Sequence, residues 1–292
     1  MSQIASRTAV LALAIVLIGR ISVANRVEAQ VDSAISVETV ASGLEAPWEI
    51  AFAPDGRAFI TERPGRVRVM INGQLQEQPW ATLNVASTSE SGLMGLALDP
   101  SFASNGWIYV AYTYRGADGN LLNKLARIRE DPATGTGAED AVLVDGFRAN
   151  SIHDGGRVRF GPDGNLYWTV GDAGTDVLAQ DPSVPNGKIH RLETDGSAPA
   201  DNPWPGSTVY SYGNRNAQGL AWQPGTGQLF ATEHGPSGRP TCCQDEVNRI
   251  DAGQNYGWPV ITGDEQREGM ISPIWQSGSN VTWAPGGATF VS

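Results

Sequence analysis

Cysteine is nearly absent. Two cysteines in 292 residues exclude a small disulfide-stapled scaffold and a zinc site built from four cysteines. Basic residues are few: 20 Lys+Arg stand against 31 Asp+Glu, a formal net charge of −11. That argues against nucleic acid as the main partner, because phosphate binding needs a basic face. Helical periodicity is nowhere sustained over ten residues. Beyond the N-terminus no run approaches the ~18 apolar residues of a membrane span. A Walker loop, HExxH, GxSxG and a dinucleotide GxGxxG in a βαβ context are all missing. What is abundant is glycine (35) and proline (18), together with 40% hydrophobic residues. The apolar content supports a packed core, and the many breakers demand many turns, which points to an all-β fold.

The N-terminus reads as an export signal, residues 1–29. Arg7 supplies a positive start, Ala9 to Gly19 is an uninterrupted apolar run of eleven residues, and Arg20 ends it. Val27-Glu28-Ala29 is a cleavage pattern before Gln30. Removing these residues leaves 17 basic and 30 acidic side chains. The expected location is periplasmic or secreted, with no membrane span in the mature chain; an uncleaved anchor is the alternative. Residues 30–292 then form the folded domain.

Strand-turn cassettes recur along that domain. Their turns are Ala53-Pro54-Asp55-Gly56, Asp99-Pro100-Ser101-Phe102, Gly161-Pro162-Asp163-Gly164, Gln223-Pro224-Gly225 and Ala284-Pro285-Gly286-Gly287. The five prolines are 46, 62, 62 and 61 residues apart. Each full cassette is expected to give a turn, a strand, a polar or Gly-rich corner and a second strand. β repeats of this length mean propeller blades. Four full cassettes and a fragment, ending in the strand-like ATFVS, make about four to five blades. An incomplete ring leaves sheet edges open, so a longer natural protein is expected; a five-bladed ring with an unusual closing strand is the alternative.

Three histidines are present. His153, in Asn150–Arg157, lies in a loop before a strand, and such loops gather at one end of a propeller. A loop imidazole can accept a proton at neutral pH; a turn histidine bonded to backbone is the alternative. His190 alternates with Ile189 on a strand and reads as structural. His234 sits in a loop after a strand. Arg215-Asn216, in Tyr212–Gly219, can bind carboxylates or steady a developing oxyanion, or can be a surface turn. Glu90 opens the apolar segment Ser91–Leu96. Asp245-Glu246 and Tyr256, beside Gly-rich backbone, can offer oxygen ligands to a hard cation such as Ca2+.

Seven segments, taken in order from about Val40, resemble the soluble pyrroloquinoline quinone (PQQ)-dependent sugar dehydrogenases of the glucose, aldose and sorbosone type. They are LEAPWEIAFAPDGRAFITERPGRVRV, ESGLMGLALDPSF, HDGGRVRFGPDGNLYWTVGD, NGKIHRLETDGSAPADNPWP, YGNRNAQGLAWQP, TEHGP and DEVNRIDAGQNYGWP. The resemblance implies a six-bladed β-propeller that oxidises aldoses at C1, passing hydride to PQQ and electrons to an external acceptor. It assigns His153 as general base and places Arg215 and Asn216 at the quinone oxygens, with Glu90 beside the cofactor. It assigns the backbone carbonyls of Gly235 and Pro236 to the catalytic Ca2+, and Glu246 and Tyr256 to a second, structural Ca2+. A homodimer is a further possibility. Two departures matter. The family's Lys and Arg residues for the cofactor carboxylates come from later blades than this chain reaches, which implies weakened PQQ binding. Ile152 replaces the acid that precedes the base in the glucose branch, and this, with His234, points to the broader aldose branch. Ser237–Gln244 resembles an insertion, in which the adjacent Cys242 and Cys243 of an exported protein are expected to pair; free thiols are the alternative. A non-catalytic binding propeller and a propeller lactonase are the competing functions.

Overall fold

In a computed structural model, which describes residues 38–238 and 242–291, the turns separate short strands that pair antiparallel with their sequence neighbours. The expected leader, residues 1–29, lies outside the described residues. The first sheet runs β1 (Pro47–Phe52), β2 (Ala58–Glu62), β3 (Arg66–Ile71) and β4 (Gln74–Leu75), with β5 (Ala81–Thr82) also on β3. The second is β6 (Leu93–Leu98), β7 (Trp107–Arg115), β8 (Leu121–Glu130) and β9 (Gly137–Arg148), with one helical turn, Phe102–Asn105, after β6. The third is β10 (Val158–Phe160), β11 (Leu166–Val170), β12 (Lys188–Leu192) and β13 (Val209–Tyr212). The fourth is β14 (Ala217–Trp222), β15 (Leu229–Glu233), β16 (Glu246–Ile250) and β17 (Trp275–Gln276). Each is a meander in chain order, and the four are propeller blades.

The cassettes are shifted in phase from the sequence expectation. Each of the first four Pro-containing turns joins the first strand of a blade to the second, so each of these blades begins one strand earlier than its turn. The strand expected at Ala288–Val291 is not formed. A strand exists only as part of a ladder, and this segment pairs with no strand among the described residues.

Period-two alternation sends successive side chains of a blade's second strand into two different apolar clusters. On β7, Ile108, Val110 and Tyr112 join the cluster of Phe59, Trp80 and Leu93 toward the first blade, while Tyr109 and Ala111 join Trp168 and Leu166 of the third. On β11, Tyr167 faces the fourth blade with Leu220 and Leu229. A strand buried on both faces has no polar side to show. The first strands are tied by charge: Glu49 of β1 receives Arg157 and, at 2.7 Å, Arg159 of β10, while Arg157 Nε donates to the Gln218 carbonyl of β14 at 2.6 Å. Buried His190 bonds Thr208 Oγ1 and the Pro185 carbonyl, and burial pushes it down to about 4, so it is structural as expected.

The meander also decides where the chemistry sits. If the turn between first and second strands lies at one end of a blade, the loop entering the blade and the turn between second and third strands lie at the other. Glu90, the His153 loop, the β11–β12 loop, Arg215-Asn216 and the β15–β16 loop all belong to that second end.

Candidate functional site

The loop before β10 is folded on Asp154, whose Oδ1 accepts the Asn150 N–H at 3.0 Å and Asn123 Nδ2 at 3.2 Å. This holds His153 at φ +59, a left-handed conformation uncommon for a non-glycine residue and enriched at functional sites. Gly171 is needed beside it, because a Cβ there would strike the His153 carbonyl. The His153 N–H donates to Glu90 Oε2 at 2.9 Å. The ring Nδ1 lies 2.8 Å from Asp172 Oδ1. Asp172 is fully buried and also accepts the Gly174 N–H at 2.7 Å and Trp258 Nε1 at 2.8 Å. With Asp172 Oδ1 as the acceptor at Nδ1, the tautomer that satisfies this hydrogen bond carries its proton on Nδ1, and Nε2 presents its lone pair.

Facing it is the turn that enters β14. Glu233 accepts the Arg215 N–H and, at 2.8 Å, Asn214 Nδ2. Asn216 Oδ1 accepts the Gly155 N–H at 3.0 Å, which locks this turn to the His153 loop and leaves its amide NH2 as a donor. The Arg215 guanidinium lies 5.3 Å from the Trp258 ring, and its Nη1 donates to the His234 carbonyl at 3.1 Å. Its Nε is buried without a partner among the described residues. Burial lowers the Arg215 pKa, but Asp172 and Glu233 oppose this, and a guanidinium stays charged.

The third wall is the β15–β16 loop. Asp245 Oδ1 accepts the Gly235 N–H at 2.8 Å, while its Oδ2 accepts Thr282 Oγ1 at 2.8 Å and the Ala284 N–H at 3.0 Å. Burial pushes this carboxyl up, but the N–H donors outweigh it and hold it below its usual range. Cys242 and Cys243 are disulfide-bonded, as expected. Gly235 must be glycine, because a Cβ would meet the Cys243 carbonyl. Glu90, His153, Arg215, Asn216, Gly235 and Pro236 thus line one cavity of about 190 Å3, with the disulfide in its wall.

The chain matches the Glucose / Sorbosone dehydrogenase family over residues 44–292. It belongs to that family. Quinoprotein glucose dehydrogenase B of Acinetobacter calcoaceticus is 31% identical over 275 residues, covering 83% of this chain and 56% of that protein. Aldose sugar dehydrogenase YliI of Escherichia coli is 32% identical over 248 residues, 82% of this chain and 66% of that one. The PQQ-bound aldose sugar dehydrogenase of Streptomyces coelicolor superposes with a TM-score of 0.77 at 34% identity, covering 87% of this chain and 74% of that one. The chain therefore spans less than two thirds of the length of its sequence relatives.

Glu246 and Tyr256 stand apart from the cavity. They border a small recess behind it with Glu233. Glu246 lies directly opposite Glu233 in the β15–β16 ladder, and burial raises both carboxyls. The Tyr256 phenol is committed elsewhere: it donates to the Arg249 carbonyl at 2.7 Å and accepts the Asp251 N–H at 2.8 Å. Only its backbone is left to join Glu246 as a ligand. Among the described residues no three His, Cys, Asp or Glu side chains cluster as a metal site. No helix among them is long and apolar enough to cross a membrane. Asp172 and Trp258 were not assigned functions from sequence, and Asp245 was read there as a possible oxygen ligand to a cation rather than as the tie that holds the Gly235 loop. Asp172 could have been suspected as an acid just past the largely apolar strand Leu166–Val170.

Proposed function

We propose that this chain carries the catalytic end of a PQQ-dependent aldose dehydrogenase, which oxidises sugars at C1 outside the cytoplasm and hands electrons to an external acceptor. The observation that carries this reading is the Asp172–His153 pair facing Arg215 and Asn216 across one cavity. His153 Nε2 is placed to take the proton of the sugar C1 hydroxyl, and Asp172 stabilises the imidazolium that results. Arg215 and Asn216 supply donors for quinone oxygens. The buried, unanswered Nε of Arg215 fits such an acceptor, since an unpaired buried donor is costly. Bound PQQ would supply the two-electron acceptor for the C1 hydride. Gly235 and Pro236 offer carbonyl oxygens, the donor type a hard cation such as Ca2+ takes, and Asp245 steadies their loop.

Export rests on the N-terminal apolar run that ends at Arg20. The test is dye reduction by aldoses in the presence of Ca2+, with and without PQQ. Turnover that requires PQQ is expected; equal turnover without it refutes the proposal.

A further inference from the structure

We propose that Trp258 is a positioning residue for the oxidation, a buried side chain that holds the carboxylate behind His153 with its N–H and carries the Arg215 guanidinium on its ring. The inference rests on the sugar-oxidising reading of the cavity and adds what keeps the base and the quinone-oxygen donors at a fixed spacing.

Trp258 does not border the cavity. It borders the recess behind it and is 5% exposed. Its backbone is fixed on two sides. The Trp258 N–H donates to the Gly213 carbonyl at 2.9 Å, in the turn that carries Arg215. The Trp258 carbonyl accepts Gln180 Nε2 at 2.6 Å. Gln180 in turn exchanges amide hydrogen bonds with Asn255 at 3.0 and 2.9 Å. The indole therefore emerges from a segment clamped to both the β11–β12 loop and the turn entering β14.

The side chain then closes a loop. Nε1 donates to Asp172 Oδ2 at 2.8 Å, and the ring centroid lies 5.3 Å from the Arg215 guanidinium, a distance at which a ring face attracts a cation. The Asp172 N–H donates to the Arg215 carbonyl at 2.9 Å. Asp172 and Arg215 are thus joined twice, once by backbone and once through Trp258. An indole N–H only donates, so it commits Oδ2 as an acceptor and leaves Oδ1 to His153 Nδ1 and the Gly174 N–H. Without that tie the carboxyl group is free to turn away from Nδ1. Without the ring, the guanidinium loses the surface that sets its height over the cavity floor.

The experiment compares wild type, Trp258→Phe, Trp258→Leu, Asp172→Asn and the Trp258→Phe/Asp172→Asn double variant. Each is titrated with PQQ in the presence of Ca2+ and then assayed with an aldose. Trp258→Phe keeps a ring for Arg215 but removes the N–H. Its kcat should fall roughly tenfold or more, the worth of one hydrogen bond to a carboxylate, with KM and the PQQ Kd within about threefold. Trp258→Leu removes the ring as well, and its PQQ Kd should rise roughly tenfold. The double variant separates positioning from packing. In Asp172→Asn the indole N–H draws the amide oxygen to itself and turns the NH2 toward Nδ1. Once the N–H is gone, the oxygen is free to face Nδ1, so the double variant should be as fast as Asp172→Asn or faster. If Trp258→Phe fails to fold, benzothienylalanine at this position, a ring of the same shape with sulfur in place of N–H, gives the same comparison. A kcat within threefold of wild type on loss of the N–H, a double variant slower than Asp172→Asn, or an unchanged PQQ Kd in Trp258→Leu overturns the inference while wild-type turnover stands. Wild type that fails to oxidise any aldose with PQQ overturns the functional reading itself.

Discussion

Asp172→Asn isolates the role of the carboxylate behind His153. Asp172 accepts from His153 Nδ1 at 2.8 Å, Gly174 N–H at 2.7 Å and Trp258 Nε1 at 2.8 Å. Asparagine has one oxygen and one NH2 and can serve only one side. With its oxygen toward Trp258, the NH2 meets Nδ1 and drives the imidazole proton to Nε2, the atom that must accept. With its oxygen toward His153 and Gly174, the NH2 confronts the Trp258 N–H, leaving a buried donor unpaired at a cost of about 1–3 kcal/mol. In both arrangements the anion behind the imidazolium is lost. The expected fall in kcat is roughly 10²–10⁴, the worth of a correctly held general base, or about 3–5 kcal/mol in the barrier. Steady-state kcat and KM with saturating PQQ and Ca2+ provide the assay. A variant within threefold of wild type in kcat would refute the assignment of Asp172 and His153 as an acid–base pair.

Asp154→Asn should stabilise the protein at alkaline pH. Asp154 is 2% exposed, its Oδ2 has no partner among the described residues, and burial pushes it up to about 7. Between the ordinary carboxylate pKa of about 4 and this raised value, the folded state holds a proton that the unfolded state has lost. Stability therefore falls as pH rises through that window. The variant removes a penalty of up to about 4 kcal/mol at pH 8, so melting at pH 4.5 and pH 8 should separate the two proteins only at the higher pH; an equal shift at both would contradict this. Lys188→Met should destabilise by about 1–3 kcal/mol, because the fully buried Nζ donates to the carbonyls of Leu178, Ala179 and Asn186 and the variant leaves the Asn186 carbonyl without a donor among the described residues; denaturant melts showing no loss of stability would argue otherwise. Alkylation of unfolded, unreduced protein should add nothing at Cys242 and Cys243; two added groups would mean free thiols.

The blades were legible because their turns are local: Pro and Gly reverse the chain within four residues, and each reversal is read from its own residues. The site loops were legible for the same reason, since His153 and Arg215 stand in polar, Gly-rich stretches between apolar strands. The phase of the blades was not, because a Pro-containing turn does not by itself say whether it opens a blade or joins the blade's first two strands, and a first strand such as β10, only Val158–Phe160, gives little signal of its own. Partners distant in sequence were also hidden. Trp258 reaches Asp172 across 86 residues, and Glu49 meets Arg157 across 108. Nothing in the local pattern around Trp258 marks it as a donor to the carboxylate behind His153. The opposition of Glu233 and Glu246 follows from the strand register, which the intervening ten-residue-plus loop does not reveal. Asp245 was noticed as an oxygen donor, but the structure uses it to join Gly235 to Thr282 and Ala284, segments far apart in sequence.

The central claim is that this cavity lets a sugar reduce bound PQQ. Its most direct test is anaerobic addition of an aldose to the protein loaded with PQQ and Ca2+, followed by absorbance. The expected result is conversion of the bound quinone to its reduced form by one equivalent of sugar, with one equivalent of lactone, and loss of that conversion in His153→Ala while PQQ remains bound. A quinone spectrum unchanged by excess aldose in the loaded wild-type protein would contradict the claim.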